Sequence, residues 1–380
     1  TRLVAANLEL QDQAINVYQA ILSKDKNDNY AKLGLAYVYR AINKHKKAVE
    51  FLSQIVESEQ PIEGIEIALG DSYIQLKNIS SAISTYKTLL DKKPDNIIVG
   101  QRLLSVYDSD NQYDSALALA EKLHKLHKSN DGLLLYKIYF QSKLKKTILS
   151  NDVQKLQQSK LVANHWLLNK ALGNQYYNNK SFILASSEYQ MAYNKQPSSV
   201  NAVDLAKALA LAGEQEKSTQ LLEKYLLDNP QDARVQVMLA GAYLNNKKEM
   251  EAISLYEKAL VTNPKNIIAL NNLAYLKLKQ GRNTEALSII EKAVTIAPQV
   301  PAILDTYGQV LVANNRLAES IAAYDKALSN DKNNVDISIN KAKSLILNNQ
   351  GAEAKRLLSE LKPDTLSENE DIKQLLQKLK

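Results

Sequence analysis

A fixed spacing constrains this chain more than any other feature. Stepping by 34 residues from Ala14 gives Ala48, Ala82, Ala116, Ser150, Leu184, Ser218, Ala252, Ala286, Ser320 and Ala354, and ten of these eleven positions hold Ala or Ser. The exception, Leu184, is followed at once by Ala185, so one unit is displaced by a residue before the phase returns at Ser218. A period of this length marks a stack of like units, none of which can bury its apolar face alone.

Around each marker, apolar residues recur at three- and four-residue spacing over two stretches of about a dozen residues, which reads as two amphipathic helices. Asn111, Gly213, Gly281 and Asn315 fall between the stretches and mark the turn. Pro94, Pro197, Pro230, Pro264 and Pro298 close the second helix, because proline has no N–H for the ladder and clashes with the preceding turn. Each unit is therefore expected to be a helical hairpin. The run "ALNNLAYLKLKQGRNTEALSIIEKAVTIAP" keeps alanine at Ala274, Ala286 and Ala293, where larger residues would bury more surface. Helix axes at the short end of the ~8–10 Å packing range leave room only for small side chains at the crossing.

The order Leu273, Ala274, Gly281, Ala286, Ala293 and Pro298 in one unit resembles the tetratricopeptide repeat. So does Leu239, Tyr243, Ala252, Tyr256, Ala259 and Pro264 in the unit before. The resemblance covers essentially the whole chain, with units beginning near Asn29, Glu63, Ile97, Asp131, Trp166, Ser199, Ala233, Ile267, Pro301 and Val335 after a partial one ending at Asp28. It implies an all-α fold, a right-handed superhelical solenoid of about ten to eleven hairpins. The unit from Asp131 to His165 departs from the pattern. Its stretch "KKTILSNDVQKLQQSKLVANHW" has no closing proline and sets Gln154 and Gln157 where apolar or small residues belong, so a kink or a loosened second helix is expected. At the other end, "LSENEDIKQLLQKLK" offers Ser367 with Glu370 three residues on, a capping-box start for a last solvating helix. The expected organisation is an N-terminal array over 1–130, a divergent repeat over 131–165, a C-terminal array over 166–366 and a capping helix over 367–380.

The start "TRLVAANLEL" has neither an initiator methionine nor the layout of a signal peptide and reads as part of a longer chain. Residues Asn271 to Ser320, above all the stretch from Pro298 to Gly308, look like the terminal repeats of bacterial tetratricopeptide proteins of the exopolysaccharide and exosortase (PEP-CTERM) system. That resemblance implies a periplasmic or envelope-associated lipoprotein whose other repeats and lipid anchor lie upstream of Thr1.

Lys and Arg number 48 against 41 Asp and Glu, a net charge of +7 with both signs interspersed, which is a solvated surface more than a nucleic-acid footprint. No run approaches the ~18 apolar residues of a membrane span. With no cysteine, disulfides, thiolate metal sites and cysteine nucleophiles are excluded for this sequence. His124 and His127 can share a helix face but have no acidic or thiol partner nearby in sequence, and neither His45 nor His165 suggests a base with an orienting group. The stretch "DSDNQYD", Asp108 to Asp114, resembles a fragment of a calcium loop, yet lacks the turn glycine and the distal glutamate. Phosphate-binding loops and nucleophile elbows are absent. No catalytic residue, metal or cofactor is expected, and the chain reads as a non-enzyme.

Tyrosines number 20 against three phenylalanines. Tyr18, Tyr86, Tyr189, Tyr256 and Tyr324 recur at one place in the second helix and are expected to pack with the hydroxyl reaching solvent. Tyr37, Tyr139, Tyr177 and Tyr275 fall instead on the first helix, on the face expected to line the groove of a solenoid. With Arg40, Asp71, Lys170, Asn174, Lys207 and Asn271 they make the expected partner-binding wall, a mixed surface suited to an extended peptide or a partner helix. Some family members clamp a C-terminal carboxylate with Lys and Asn of successive repeats. Lys170 and Asn174 match the first pair, but Asp204, Val237 and Gly241 break the continuation, so such a clamp is not expected. The leading expectation is a protein-interaction scaffold in bacterial exopolysaccharide or surface-protein export. Direct polysaccharide binding, or service as the substrate-binding arm of an enzyme whose catalytic domain lies elsewhere, are the alternatives.

Overall fold

The computed structural model describes residues 8–361 and 370–378, and their regular structure is entirely α-helical. The chain divides into two compact units, Thr1–Lys195 and Gln196–Lys380. The first holds α1 (Leu8–Lys24) and five hairpins: α2 (Asn29–Ala41) with α3 (His45–Val56), α4 (Ile65–Gln75) with α5 (Ile79–Lys92), α6 (Ile97–Ser109) with α7 (Tyr113–Leu126), α8 (Asp131–Lys143) with α9 (Ser150–Gln158), and α10 (Trp166–Asn178) with α11 (Phe182–Lys195). The second unit continues with α12 (Ser199–Leu211) and α13 (Gln215–Asp228), α14 (Ala233–Asn245) and α15 (Glu249–Thr262), and α16 (Ile267–Lys279) and α17 (Asn283–Ile296). It ends with α18 (Pro301–Ala313) and α19 (Leu317–Asn330), α20 (Val335–Leu347) and α21 (Gly351–Ser359), and α22 (Glu370–Lys378).

Local chemistry sets the ends of these helices. Asp28, Asn96, Asn130, Ser198, Asp232, Asn266 and Asn334 precede first helices, and their side chains accept from backbone N–H groups of the first turn, as in Ala31 N to Asp28 Oδ1 at 2.8 Å. Such a cap contributes about 1 kcal/mol. The five closing prolines each sit two residues past a second helix. Between paired helices every hairpin has one residue at positive φ: Asn43, Asn111, Asn315, Asn349, Gly213 and Gly281, but also Lys77, Lys145, Lys180 and Lys247. The N–H of the next residue then reaches back five places, as in Lys44 N to Tyr39 O at 2.8 Å and Arg282 N to Lys277 O at 3.0 Å, satisfying carbonyls that the helix end would leave open.

The small residues of the 34-residue period lie at helix crossings. Ala48, Ala82, Ala116, Ala185, Ala252, Ala286, Ser320 and Ala354 are wholly buried, and Ser218 nearly so. Ser218 Oγ donates to Ala206 O on the facing helix at 2.8 Å, a direct sign of close approach. Leu184 is exposed while Ala185 is buried, which locates the one-residue displacement. Ser150 breaks the rule. It is exposed, because it is the first residue of the nine-residue α9, of which Leu156 alone is fully buried. A second form of close approach joins Gly70 to Tyr86, Gly173 to Tyr189 and Gly308 to Tyr324: a Cβ at these glycines would meet ring atoms at 2.6, 2.5 and 2.4 Å.

Neighbouring hairpins are tied by the second helix of one against the first helix of the next. Tyr243 Oη donates to Glu223 at 2.7 Å, and the buried Lys277 bonds Glu257 at 2.8 Å. First helices also touch one another directly: α8 on α10 in the first unit, α12 on α14, α16 on α18 and α18 on α20 in the second. First helices thus lie side by side at several places within each unit, on the face where the family resemblance implies a wall. At the C-terminal end Ile372 and Leu375 of α22 pack against Leu345 and Leu358 of the last hairpin. Ser367, expected to cap this helix, lies outside the described residues.

Candidate functional site

The first-helix wall holds two clefts, one in each unit. In the first unit, Tyr37 and Arg40 stand three residues apart on α2, and Asp71 on α4 is 34 residues beyond Tyr37. They share a cleft of about 580 Å³ with His45, Ile74 and Gln75. Asp71 accepts a hydrogen bond from Tyr86 Oη at 2.7 Å and lies 3.5 Å from both Arg40 and Arg102, so three consecutive first helices meet at one carboxylate. The Arg40 guanidinium sits 5.9 Å from the centre of the exposed Tyr37 ring. Burial, and then the bond to Asp71, hold the Tyr86 hydroxyl far above the usual phenol range. Burial and the Arg40 charge push the His45 imidazole down. What remains available is a ring face and a guanidinium edge, a surface suited to carboxylate and aromatic contacts.

Four other residues expected on the wall are drawn into structural work. Tyr139 is buried and donates to the Asp108 carboxylate at 3.0 and 3.2 Å, while burial raises the pKa of Asp108. Lys170 is 1% exposed, with Nζ 5.6 Å from the centre of the Tyr189 ring. Asn174 accepts from Tyr189 Oη at 2.8 Å and donates to Ser142 Oγ at 3.0 Å. Tyr177 packs edge-on against Phe182, ring centres 5.5 Å apart. The expectation that Tyr139 and Lys170 present themselves to a partner is corrected here. α8 packs on α10, and within this region Tyr139 is covered against Asp108 and Phe140 and Lys170 against the Tyr189 ring.

In the second unit a cleft of about 640 Å³ opens across α12, α14 and α16. Its lining includes Val203 and Lys207 from α12, Arg234, Val237, Gly241 and Leu244 from α14, and Ile268 and Asn272 from α16. Lys207, Gly241 and Tyr275 occupy equivalent positions 34 residues apart, and the cleft lies where the middle one has no side chain. Lys207 and Tyr275 are exposed. Asn271 donates to Asn272 Oδ1 at 3.3 Å, and Asn272 donates to Tyr256 Oη at 2.8 Å, beneath the cleft. Burial raises the Tyr256 hydroxyl. In the repeat pattern Val237 and Gly241 stand only as breaks in a carboxylate clamp, and Arg234 and Ile268 carry no sequence signal of their own. The available signal was a glycine in the middle of a helical pattern, which lacks a local reason to be there. Among the described residues no three His, Cys, Asp or Glu side chains are grouped to hold a metal ion.

Profiles of the tetratricopeptide repeat match residues 5–61, 203–267, 255–288 and 311–379, together more than half of the chain. The chain belongs to the tetratricopeptide repeat family. Tetratricopeptide repeat protein 21A of Mus musculus is 26% identical over 115 residues, 30% of this chain and 9% of the mouse protein. Lipopolysaccharide assembly protein B of Escherichia coli is 25% identical over 134 residues, 34% of each. The matches thus span a tenth and a third of these relatives' lengths. The crystal structure of the APC/C hetero-tetramer Cut9–Hcn1 covers all of this chain and 95% of its own, with a TM-score of 0.54 at 12% identity, a likeness of fold alone. The tetratricopeptide fold is suited to protein–protein interaction, and no described helix is long and apolar enough to cross a membrane.

Proposed function

We propose that this chain is a non-enzymatic scaffold that binds peptide or protein partners on its first-helix walls. The observation that supports it is the pair of clefts on those walls, one around Tyr37, Arg40 and Asp71 and one over Gly241. Four of the groups with displaced pKa values fit the same reading. Tyr86, Asp108, Tyr256 and Asp305 are each engaged in hydrogen bonds between helices, which is structural use of an ionisable group. The finer setting is the bacterial envelope, with partners among the components of exopolysaccharide or surface-protein export. Its support is the resemblance of Asn271 to Ser320 and the name of the Escherichia coli relative.

The test is affinity capture from envelope extract with the parent chain and with a variant combining Tyr37→Ala, Arg40→Ala, Lys207→Ala and Tyr275→Ala. A discrete partner retained by the parent and lost by the variant is the expected result; equal recovery would remove the wall from the interaction. Fractionation of the tagged protein in its own cells tests the envelope setting separately. Direct polysaccharide binding ranks second. Its support is narrowed to the exposed rings of Tyr37 and Tyr275, since Tyr139 and Tyr177 spend their faces on packing. Calorimetric titration with exopolysaccharide fragments decides it.

A further inference from the structure

Glycine in the middle of a helix is destabilising relative to alanine, so each instance asks for a cause. At Gly70, Gly173 and Gly308 the cause is a tyrosine ring occupying the space. Gly241 is different. A Cβ there would meet nothing nearer than Tyr256 Oη at 3.9 Å, an ordinary contact, so packing does not require the glycine. What its bare backbone does is leave a gap in a wall whose equivalent positions hold the exposed Lys207 and Tyr275, and the gap is the second cleft. Part of the lining is apolar, supplied by Val203, Val237, Leu244 and the exposed Ile268. Its volume, about 640 Å³, lies in the ordinary range of ligand-binding clefts.

The residues that line this cleft carry charge of one sign, while Glu214, Glu216 and Glu223 line the adjoining cleft that shares Gln215, Thr219 and Asn246 with it. Lys207 and Arg234 line the cleft over Gly241 and no Asp or Glu does. The side-chain amide of Asn245 also lines the cleft and can bond an extended backbone. We infer that the cleft over Gly241 is a specificity pocket for an extended peptide, taking one bulky apolar side chain whose neighbouring residues are acidic. This rests on the proposed binding of peptides along the wall and adds which sequence is chosen. An apolar anchor in a desolvated pocket supplies the affinity, and the flanking carboxylates meet the two cations.

The test uses the whole chain. Phage-displayed random dodecapeptides are selected on it, and the enriched sequences are synthesised with a fluorophore and titrated against the parent, Gly241→Leu, Ile268→Ser and the double variant Lys207→Glu, Arg234→Glu. The expected consensus has a Phe, Leu, Ile or Met beside Asp or Glu. Leucine at position 241 fills the pocket, so Kd should rise about thirtyfold, the scale of a lost anchor. The melting temperature should stay at or above that of the parent, because a helix-interior glycine has been replaced. Ile268→Ser, at an exposed position of the lining, guards against a folding defect in the first variant and should also weaken binding. Reversing both charges should raise Kd about tenfold or more. Peptides that bind Gly241→Leu and Ile268→Ser as well as the parent, or a basic consensus, would overturn the pocket while leaving wall binding in place. Failure of any peptide to enrich on the parent would overturn both. Displacement of the peptide by an acidic oligosaccharide, with the apolar anchor dispensable, would reassign the cleft to glycans.

Discussion

Tyr324 lies with its ring over Gly308, where an added Cβ would come within 2.4 Å of Cζ. Gly308→Ala gains helix propensity of roughly 1 kcal/mol but forces a buried ring to move, at a typical cost of about 1–3 kcal/mol. The net expectation is a lower melting temperature, recovered when Tyr324→Leu is added; a stabilised single variant would contradict the packing. His124 gives a pH prediction. Burial, then the charges of Lys137 and Lys155, lower its imidazole pKa in the folded chain. The unfolded chain takes up that proton near pH 6.5 and the folded chain only at lower pH, so stability falls as pH drops through this interval. Asp108 and Asp305, raised by burial, act with the opposite sign just above the usual carboxylate range. The check is therefore made by difference: urea melts of His124→Asn should lose less stability than the parent between pH 7 and pH 5. At this scale the sequence was only partly legible. Asn111 and Gly281 mark their turns, whereas Lys77, Lys145, Lys180 and Lys247 adopt the same left-handed conformation unannounced. A lysine there bears a strain of about 1–2 kcal/mol, set against backbone bonds such as Lys77 N to Ile74 O and Asn78 N to Tyr73 O, each 2.9 Å.

The hairpin is the element at which pattern and structure agree most closely. Capping residues, closing prolines and buried alanines all act over a few positions along one helix or across one crossing, so periodicity reveals them. Ala286 is wholly buried where α17 meets its neighbours. Ala286→Leu should overpack that contact and cost about 1–3 kcal/mol in thermal unfolding; a leucine variant as stable as the parent would mean the axes are not held close. The exception is the hairpin of α8 and α9. α9 is nine residues long, with Leu156 its one fully buried side chain, and its second-helix marker Ser150 is exposed. Hydrogen exchange followed by mass spectrometry should find its amides less protected than those of α8 and α10. Equal protection across the three helices would show that α9 is held by more than this contact.

For the molecule as a whole, energetics in a repeat array are mostly nearest-neighbour, so each compact unit contains most of what stabilises it. The fragment Gln196–Lys380, which includes α12 to α22, is expected to be helical by circular dichroism and to melt cooperatively. A fragment that is largely unfolded would show that this boundary is not an energetic one. By itself the sequence determined the repeat, the two helices of each unit, their ends and the small residues at their crossings, because those depend on neighbours along a helix or one period away. Which wall residues are open was decided only by tertiary structure. Lys170 and Lys207 are both first-helix lysines of consecutive repeats, yet one is 1% exposed and the other faces solvent. Lys170, the fifth residue of α10, is covered beside the Tyr189 ring of α11, whereas Lys207, the ninth residue of α12, borders a cleft shaped by side chains of α14 and α16. Distances between separate helices set both, and a linear pattern of residue types does not encode them.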